Sequence, residues 1–247
     1  MEPAKTKAGA RGTIGAVIRN GPSPPGAATY SNSGAPAGTE VVTNKAGQKL
    51  GRKGLETRAR ILASTKALLS EAAAPKLTPS TITRHAALAS QSFYLYFDEV
   101  EEVLLTLCEE TIAEVPPLIE LIRCAARTGD EAEMRAFVRA YNTFARRHFA
   151  LFALRNFHSD AGDLRFFEVR ARCALPVIET IVDQMIAKSG LSREVATARA
   201  VIVIAGMDRL SSRPVVPEVD HAISDATLWQ AEADVLAMLM EFSGFRA

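Results

Sequence analysis

Long apolar runs, paired cysteines and a charge excess are all missing from this chain. No apolar stretch approaches the ~18 residues that a bilayer-spanning helix needs, and the N-terminus has no continuous apolar segment of the kind a signal peptide requires. Only three cysteines occur in 247 residues, Cys108, Cys124 and Cys173. An odd number without CxxC spacing argues against a disulfide framework and for reduced thiols in a cytosolic protein. Net charge is +1, so bulk electrostatics names no partner. Glycine and proline are sparse beyond residue 54, because the first 54 residues hold ten of the fifteen glycines and five of the twelve prolines. Internal repeats and strand-period segments of useful length are absent as well.

What is present is helical. Apolar residues form 48% of the chain, enough for a core. Residues 1–54 cannot bury enough apolar surface to offset chain ordering and are expected to form a disordered, basic tail. Its end, from Lys45 to Lys53, has the composition of an arm that touches phosphates, with Lys53 the candidate contact. From Leu55 helical spacing begins, with Leu55, Ala59, Leu62 and Leu69 on one stripe and Ile61 and Leu68 widening it. Pro75 is expected to end this helix. Further helices are expected over 79–86, 90–97, 100–114, 118–127, 131–148, 149–158, 164–188, 192–210 and 226–242, with a loop over 213–221. Pro116-Pro117 should stop the helix before them, and Pro176 should kink the longest one.

Charge is distributed unevenly along the chain. Residues 45–97 carry nine basic side chains against two acidic, a net +7, whereas 98–134 carry eleven acidic against two basic, a net −9. Only the first block suits a polyanion. Within it, Thr78 precedes Pro79, a hydroxyl at N-cap and proline at N1. Thr78, Ser80 and Thr81 therefore crowd a helix start that favours phosphate. After a turn over Ala86–Ala89, Ser90, Gln91 and Ser92 occupy the first turn of a short helix, the part of a recognition helix that meets base edges. Tyr94 and Tyr96 bring phenolic hydroxyls suited to phosphate oxygens. Phe93 and Phe97 are expected to pack inward.

These residues carry a resemblance. From Leu55 to about Leu105 the chain resembles the N-terminal domain of the TetR/AcrR family of bacterial transcriptional regulators. Arg58-Ala59-Arg60-Ile61-Leu62-Ala63 is similar to the family's first helix, and Ile82 with Ala86-Ala87-Leu88-Ala89 to its second helix and turn. Phe93-Tyr94-Leu95-Tyr96-Phe97, followed by Asp98 and Glu101, resembles its most recognisable run. The resemblance implies an all-α protein with a helix-turn-helix DNA-binding domain (55–99) and a helical ligand-binding and dimerisation domain (100–247). It further implies a homodimeric repressor released from double-stranded operator DNA by a small apolar effector, with neither metal nor cofactor and no membrane association. Three positions depart from the pattern. Ala87 stands where glycine is usual and would be strained at positive φ. Ala89 replaces the usual serine cap, which would move the cap to Ser90, and Val100 replaces a lysine.

In the second half, Phe137, Tyr141, Phe144, His148 and Phe152 recur at helical spacing, and Asn156 follows. An ordinary core explains them; so does an apolar ligand cavity with few polar anchors, which the resemblance implies. Ile202, Gly206 and Leu210, then Trp229, Leu236 and Met240, mark two apolar helices. The resemblance implies that these pair with their copies as a four-helix bundle; closure of the monomer core is the alternative. Two other functional readings stay open: a helical sensor without DNA binding, and a helical enzyme built on the cysteines and on His85, His148, His158 and His221.

Overall fold

The computed structural model describes residues 49–71, 76–211 and 223–240. Among them the chain forms nine α-helices and one 3₁₀ helix, in the order α1 (Arg52–Leu69), α2 (Pro79–His85), the 3₁₀ helix (Ser90–Leu95), α3 (Val100–Ile112), α4 (Pro116–Thr128), α5 (Glu131–Arg147), α6 (Phe149–Asp160), α7 (Leu164–Ser189), α8 (Arg193–Ser211) and α9 (Asp225–Leu239). The all-α class expected from the sequence is the class observed. No described helix is long and apolar enough to cross a membrane.

Local chemistry explains most boundaries. Thr78 Oγ1 accepts the Thr81 amide at 3.1 Å while the Thr78 amide donates to Thr81 Oγ1 at 2.9 Å. This reciprocal box, with Pro79 behind it, starts α2. Pro116 and Pro117 open α4 rather than merely ending α3, which stops at Ile112. Proline suits this place because a first-turn amide has no intrahelical acceptor. Gly129 and Gly190 close α4 and α7 at φ of 67° and 62°, where a β-carbon would be strained. α7 runs unbroken across Pro176, and Thr180 Oγ1 donates to the Pro176 carbonyl at 3.0 Å. Pro176 thus lies inside one continuous helix, as the sequence suggests.

α1 differs from its expected pattern. It begins at Arg52, and its buried face is Ile61, Leu62, Ser64, Thr65 and Leu68; Leu55 and Ala59 are exposed. α2, at about 10 Å, is too short to cover the roughly 27 Å of α1, so the early apolar residues stay in solvent. Pro75, the loop over 213–221 and the tail up to residue 48 lie outside the described residues.

Two apolar clusters hold the fold. One joins Ile61, Leu62, Ile82, Phe93 and Phe97 to Val103 and Leu107 of α3, to Leu151 and Phe152 of α6, and to Phe166 of α7. The other runs through α4, α5, α7, α8 and α9. Phe144 packs on both. The first cluster therefore crosses residue 100, so the head and the start of the following helix share one core. The acidic block has a structural use too. Glu110 pairs with Lys66 of α1 at 2.7 Å, Glu99 with Arg165 of α7 at 2.8 Å, Glu109 with Arg172, and Glu114 with both Arg147 and His148 at 2.9 Å. Each such partly exposed pair contributes little, but together they direct Glu109 and Glu110 of α3, and Glu99 and Glu114 flanking it, toward neighbouring helices.

Candidate functional sites

The head is built around one strained residue. Ala87 has φ 51°, the sole positive φ at a non-glycine among the described residues. The left-handed region costs an alanine about 1 kcal/mol or more. The guanidinium of Arg60, on α1, compensates by donating to the carbonyls of both Ala86 and Ala87, the latter at 3.2 Å. These carbonyls lie at the negative end of α2, where a cation is favoured. The Leu88 amide closes the turn onto the Thr83 carbonyl at 2.8 Å. α1 thus fixes the angle at which the next helix leaves.

That helix is 3₁₀ rather than α, and its N-cap is Ala89 with no side-chain bond. Ser90 does not take over the cap. Ser90, Gln91 and Tyr94 are exposed, while Ser92 and Tyr96 are half-buried. Tyr94 is held edge-on against Phe93 at 5.5 Å between ring centres, and Phe93 is fully buried. Lys53 and Ser80 are also exposed. Thr78 and Thr81 are a correction to the sequence reading. Their hydroxyls are engaged in capping α2, with Thr81 Oγ1 also donating to backbone oxygen, and are not free for a phosphate. Sequence reasoning passed over Leu95, 61% exposed beside Tyr94, and the exposed Lys76, Arg84 and His85 around α2. The signal was available: Arg84 and His85 follow the buried Ile82 and Thr83 directly.

The residues singled out in the second half assemble differently from an open cavity. Phe144, His148 and Phe152 form a ring triangle with centres 5.3–5.5 Å apart. Phe137 is fully buried and lies 6.1 Å from Tyr141. His148 Nε2 meets Glu114 Oε1 at 2.9 Å, tying the triangle to the end of α3. Asn156 Oδ1 accepts from Arg155 Nε and Nη2, both at 3.1 Å, and Asn156 Nδ2 donates to Asp208 of α8 at 3.0 Å. Arg155, which sequence reasoning missed, stands at the centre. It is 2% exposed, stacks 4.1 Å from the Phe152 ring, and donates to Asp208 at 2.7 Å. A lone cation on a helix otherwise reading Phe149-Ala150-Leu151-Phe152-Ala153-Leu154 was the available signal. The Tyr141 phenol is pushed upward by burial, with Asp208 adding and Arg155 opposing. A cavity of about 430 Å³ lies instead between α4 and α7, lined by Arg123, Arg127, Pro176, Glu179, Asp183 and Gln184 among others. None of the six expected effector residues lines it.

On α8 and α9 the exposed faces are partly those expected. Ile202 is 72% exposed, Leu210 36% exposed, and a β-carbon on Gly206 would meet nothing within 4 Å. Trp229 packs partly buried against the core, with Arg146 over its ring at 5.3 Å. Leu236 and Met240 are fully buried in the chain's own core and have no surface to offer a partner. The helical register puts Val235 and Met238 outward in their place. Val195, Ala198, Ile202 and Gly206 on α8, and Thr227, Ala231, Val235 and Met238 on α9, follow exposed stripes at spacings of three and four.

The thiols are not activated. Burial pushes Cys108 up to about 12 and raises Cys173; a hydrogen bond to Glu133 raises Cys124. Among the described residues no cluster of three metal-ligating side chains forms, and no thiol–imidazole hydrogen bond does.

No protein-family model matches the chain, and no curated protein does. Solved structures do. The fatty acid degradation regulator FadR from Bacillus halodurans aligns with TM-score 0.52 at 16% identity, over 78% of this chain and 96% of that one. FadR from Thermus thermophilus, a TetR-family transcriptional repressor solved with lauroyl-CoA, aligns with TM-score 0.49 at 16% identity, over 77% of this chain and 96% of that one. At such identity the likeness to the Bacillus halodurans protein establishes a shared fold alone.

Proposed function

We propose that this chain is a TetR/AcrR-type transcriptional regulator: a homodimer that binds duplex DNA through its head and is released as a repressor by a small, largely apolar effector. The reading rests above all on the turn at Ala87. A strained, clamped turn between two short helices gives the second helix a fixed exit angle; that helix carries Ser90, Gln91 and Tyr94 in solvent, and the cations Arg84 and Lys76, with the imidazole of His85, are exposed on or just before the first. Gln91 is suited to a bidentate bond with an adenine edge and Ser90 to several bases. Tyr94 and the cations are suited to phosphates, which fix register without reading sequence. The division into a basic tail (1–54, whose last three residues already belong to α1), a DNA-binding head (55–99) and a sensing and pairing region (100–247) belongs to this proposal, with the shared core across residue 100 as its mechanical link.

Pairing through the exposed stripes of α8 and α9 would duplicate the head, and dimers of this kind meet half-sites about 34–36 Å apart. Effector action is a population shift: a ligand that binds one head spacing better draws molecules away from the DNA-competent one. The likeness to a fatty acid degradation regulator supports the regulatory class and leaves the effector open. Titration of the full chain on DNA from its own promoter region and on scrambled DNA tests the reading. Tighter binding to the promoter DNA is expected, and equal affinity for both would overturn sequence-specific recognition.

A further inference from the structure

We infer that the effector carries an anionic group, and that this group takes the place of Asp208 on Arg155. The inference rests on the proposed sensing role, but it concerns ligand chemistry rather than DNA. Arg155 is a buried cation with aromatic surface on one side: the Phe152 ring lies against its guanidinium, and the Phe144 ring stands 5.4 Å from that of Phe152. Its Nε and Nη2 bond Asn156 and Asp208, and Nη1 makes none of these bonds. Asp208 is the acidic partner, 13% exposed, and Arg170 approaches it from the other side at 3.6 Å. The Tyr141 phenol lies close enough to feel both charges.

A buried guanidinium deprived of its carboxylate is strongly destabilising. These rings are packed, so a ligand must part them; a neutral molecule that does so cannot displace Asp208, whereas one bearing a carboxylate exchanges one charge-assisted pair for another. Asp208 stands on α8 two residues after the exposed Gly206. Its release would loosen the helix proposed to pair with the second copy, linking ligand to head spacing. The aromatic walls specify the remainder of the molecule as apolar.

The probes are 4-phenylbutyrate and its neutral counterpart 4-phenylbutanol, tested by calorimetric titration and thermal melting of the full chain without DNA. Asp208→Asn keeps the shape and removes the competing charge. This variant is expected to bind 4-phenylbutyrate at least tenfold more tightly than the natural chain and to show no such gain for 4-phenylbutanol. The double variant Arg155→Met/Asp208→Leu replaces the pair with apolar side chains, a change that buried pairs generally tolerate; it is expected to lose the preference for the acid. Equal responses to acid and alcohol in Asp208→Asn would overturn the inference, as would an acid preference surviving in the double variant. If Asp208→Asn does not fold, the double variant against the natural chain decides alone. Because no DNA is present, failure of operator binding leaves this result interpretable, and failure here leaves the DNA-binding proposal untouched.

Discussion

The head and the α8–α9 face both leave apolar side chains in solvent, yet they do so in opposite company. On the head, Tyr94 and Leu95 are exposed on the same pair of short helices that expose Ser90, Gln91, Arg84 and His85, with Lys76 exposed just before them. On the far face, Val195, Ile202, Val235 and Met238 alternate with alanine and glycine along two stripes. A mixed polar and cationic surface suits a hydrated polyanion, where contacts are wet and salt-dependent. A smooth stripe of small and aliphatic groups suits a dry contact with another apolar surface. The same composition class thus separates into two kinds of surface, and the neighbours of each exposed apolar residue distinguish them.

The largest expected effect comes from breaking the far face. Ile202→Asp should convert the chain to monomers by sedimentation and weaken binding to promoter DNA by about 100-fold or more, since two linked heads gain by effective concentration. Leu236→Asp would be different in kind: it buries a charge in the monomer core and should abolish folding. If Ile202→Asp stays dimeric, the stripes are not the pairing surface.

The head supplies the next contrast. Gln91→Ala should cost about 1–3 kcal/mol at one base position and relax preference there. Tyr94→Phe should weaken binding to all sequences alike. Competition titrations on single-base variants of a bound site separate the two, and a uniform loss for Gln91→Ala would remove it from base reading. A smaller effect is expected at the turn. Ala87→Gly relieves the positive φ and should stabilise by about 1 kcal/mol, seen as a higher melting temperature. Arg60→Met should do the reverse, and Ala87→Gly should partly rescue it.

The smallest effect is on pH dependence. Burial raises the Glu232 carboxyl above the ordinary glutamate value, although Asn142 donates to it and Arg146 opposes the rise; its Oε1 is buried with no hydrogen-bond partner among the described residues. A carboxyl raised in the folded state favours folding while protonated. That contribution is present below the ordinary glutamate value and is lost as pH climbs through the raised one. Glu232→Gln should therefore raise the melting temperature more at pH 8 than at pH 5.

Much of this was legible in the sequence. Thr78-Pro79, Gly129 and Gly190 mark helix ends because capping and left-handed closure need those residue types locally. Phe93 and Phe97, expected to pack inward against α1, are buried in the first cluster. Leu55 and Ala59 misled because periodicity tells which side of a helix is apolar, not how far its neighbour reaches. For Leu236 and Met240 the sequence leaves pairing and closure of the monomer core both open for a related reason: on a helix rich in apolar residues all round, pattern cannot choose the buried side. Thr78 and Thr81 were read as free hydroxyls because their reciprocal bonding appears only once the helix start is folded. Arg155 stands out locally as a cation after an apolar run, but its partner Asp208 lies 53 residues away, so the pairing itself is not legible in the sequence.

The most direct test of the account is binding of the full chain to its promoter DNA and to a scrambled duplex across a series of salt concentrations. The account predicts a preference for the promoter at every concentration, with log affinity falling linearly against log salt for both duplexes as phosphate-bound counterions are released. Affinity that is absent at low salt, or identical for the two duplexes, would contradict it.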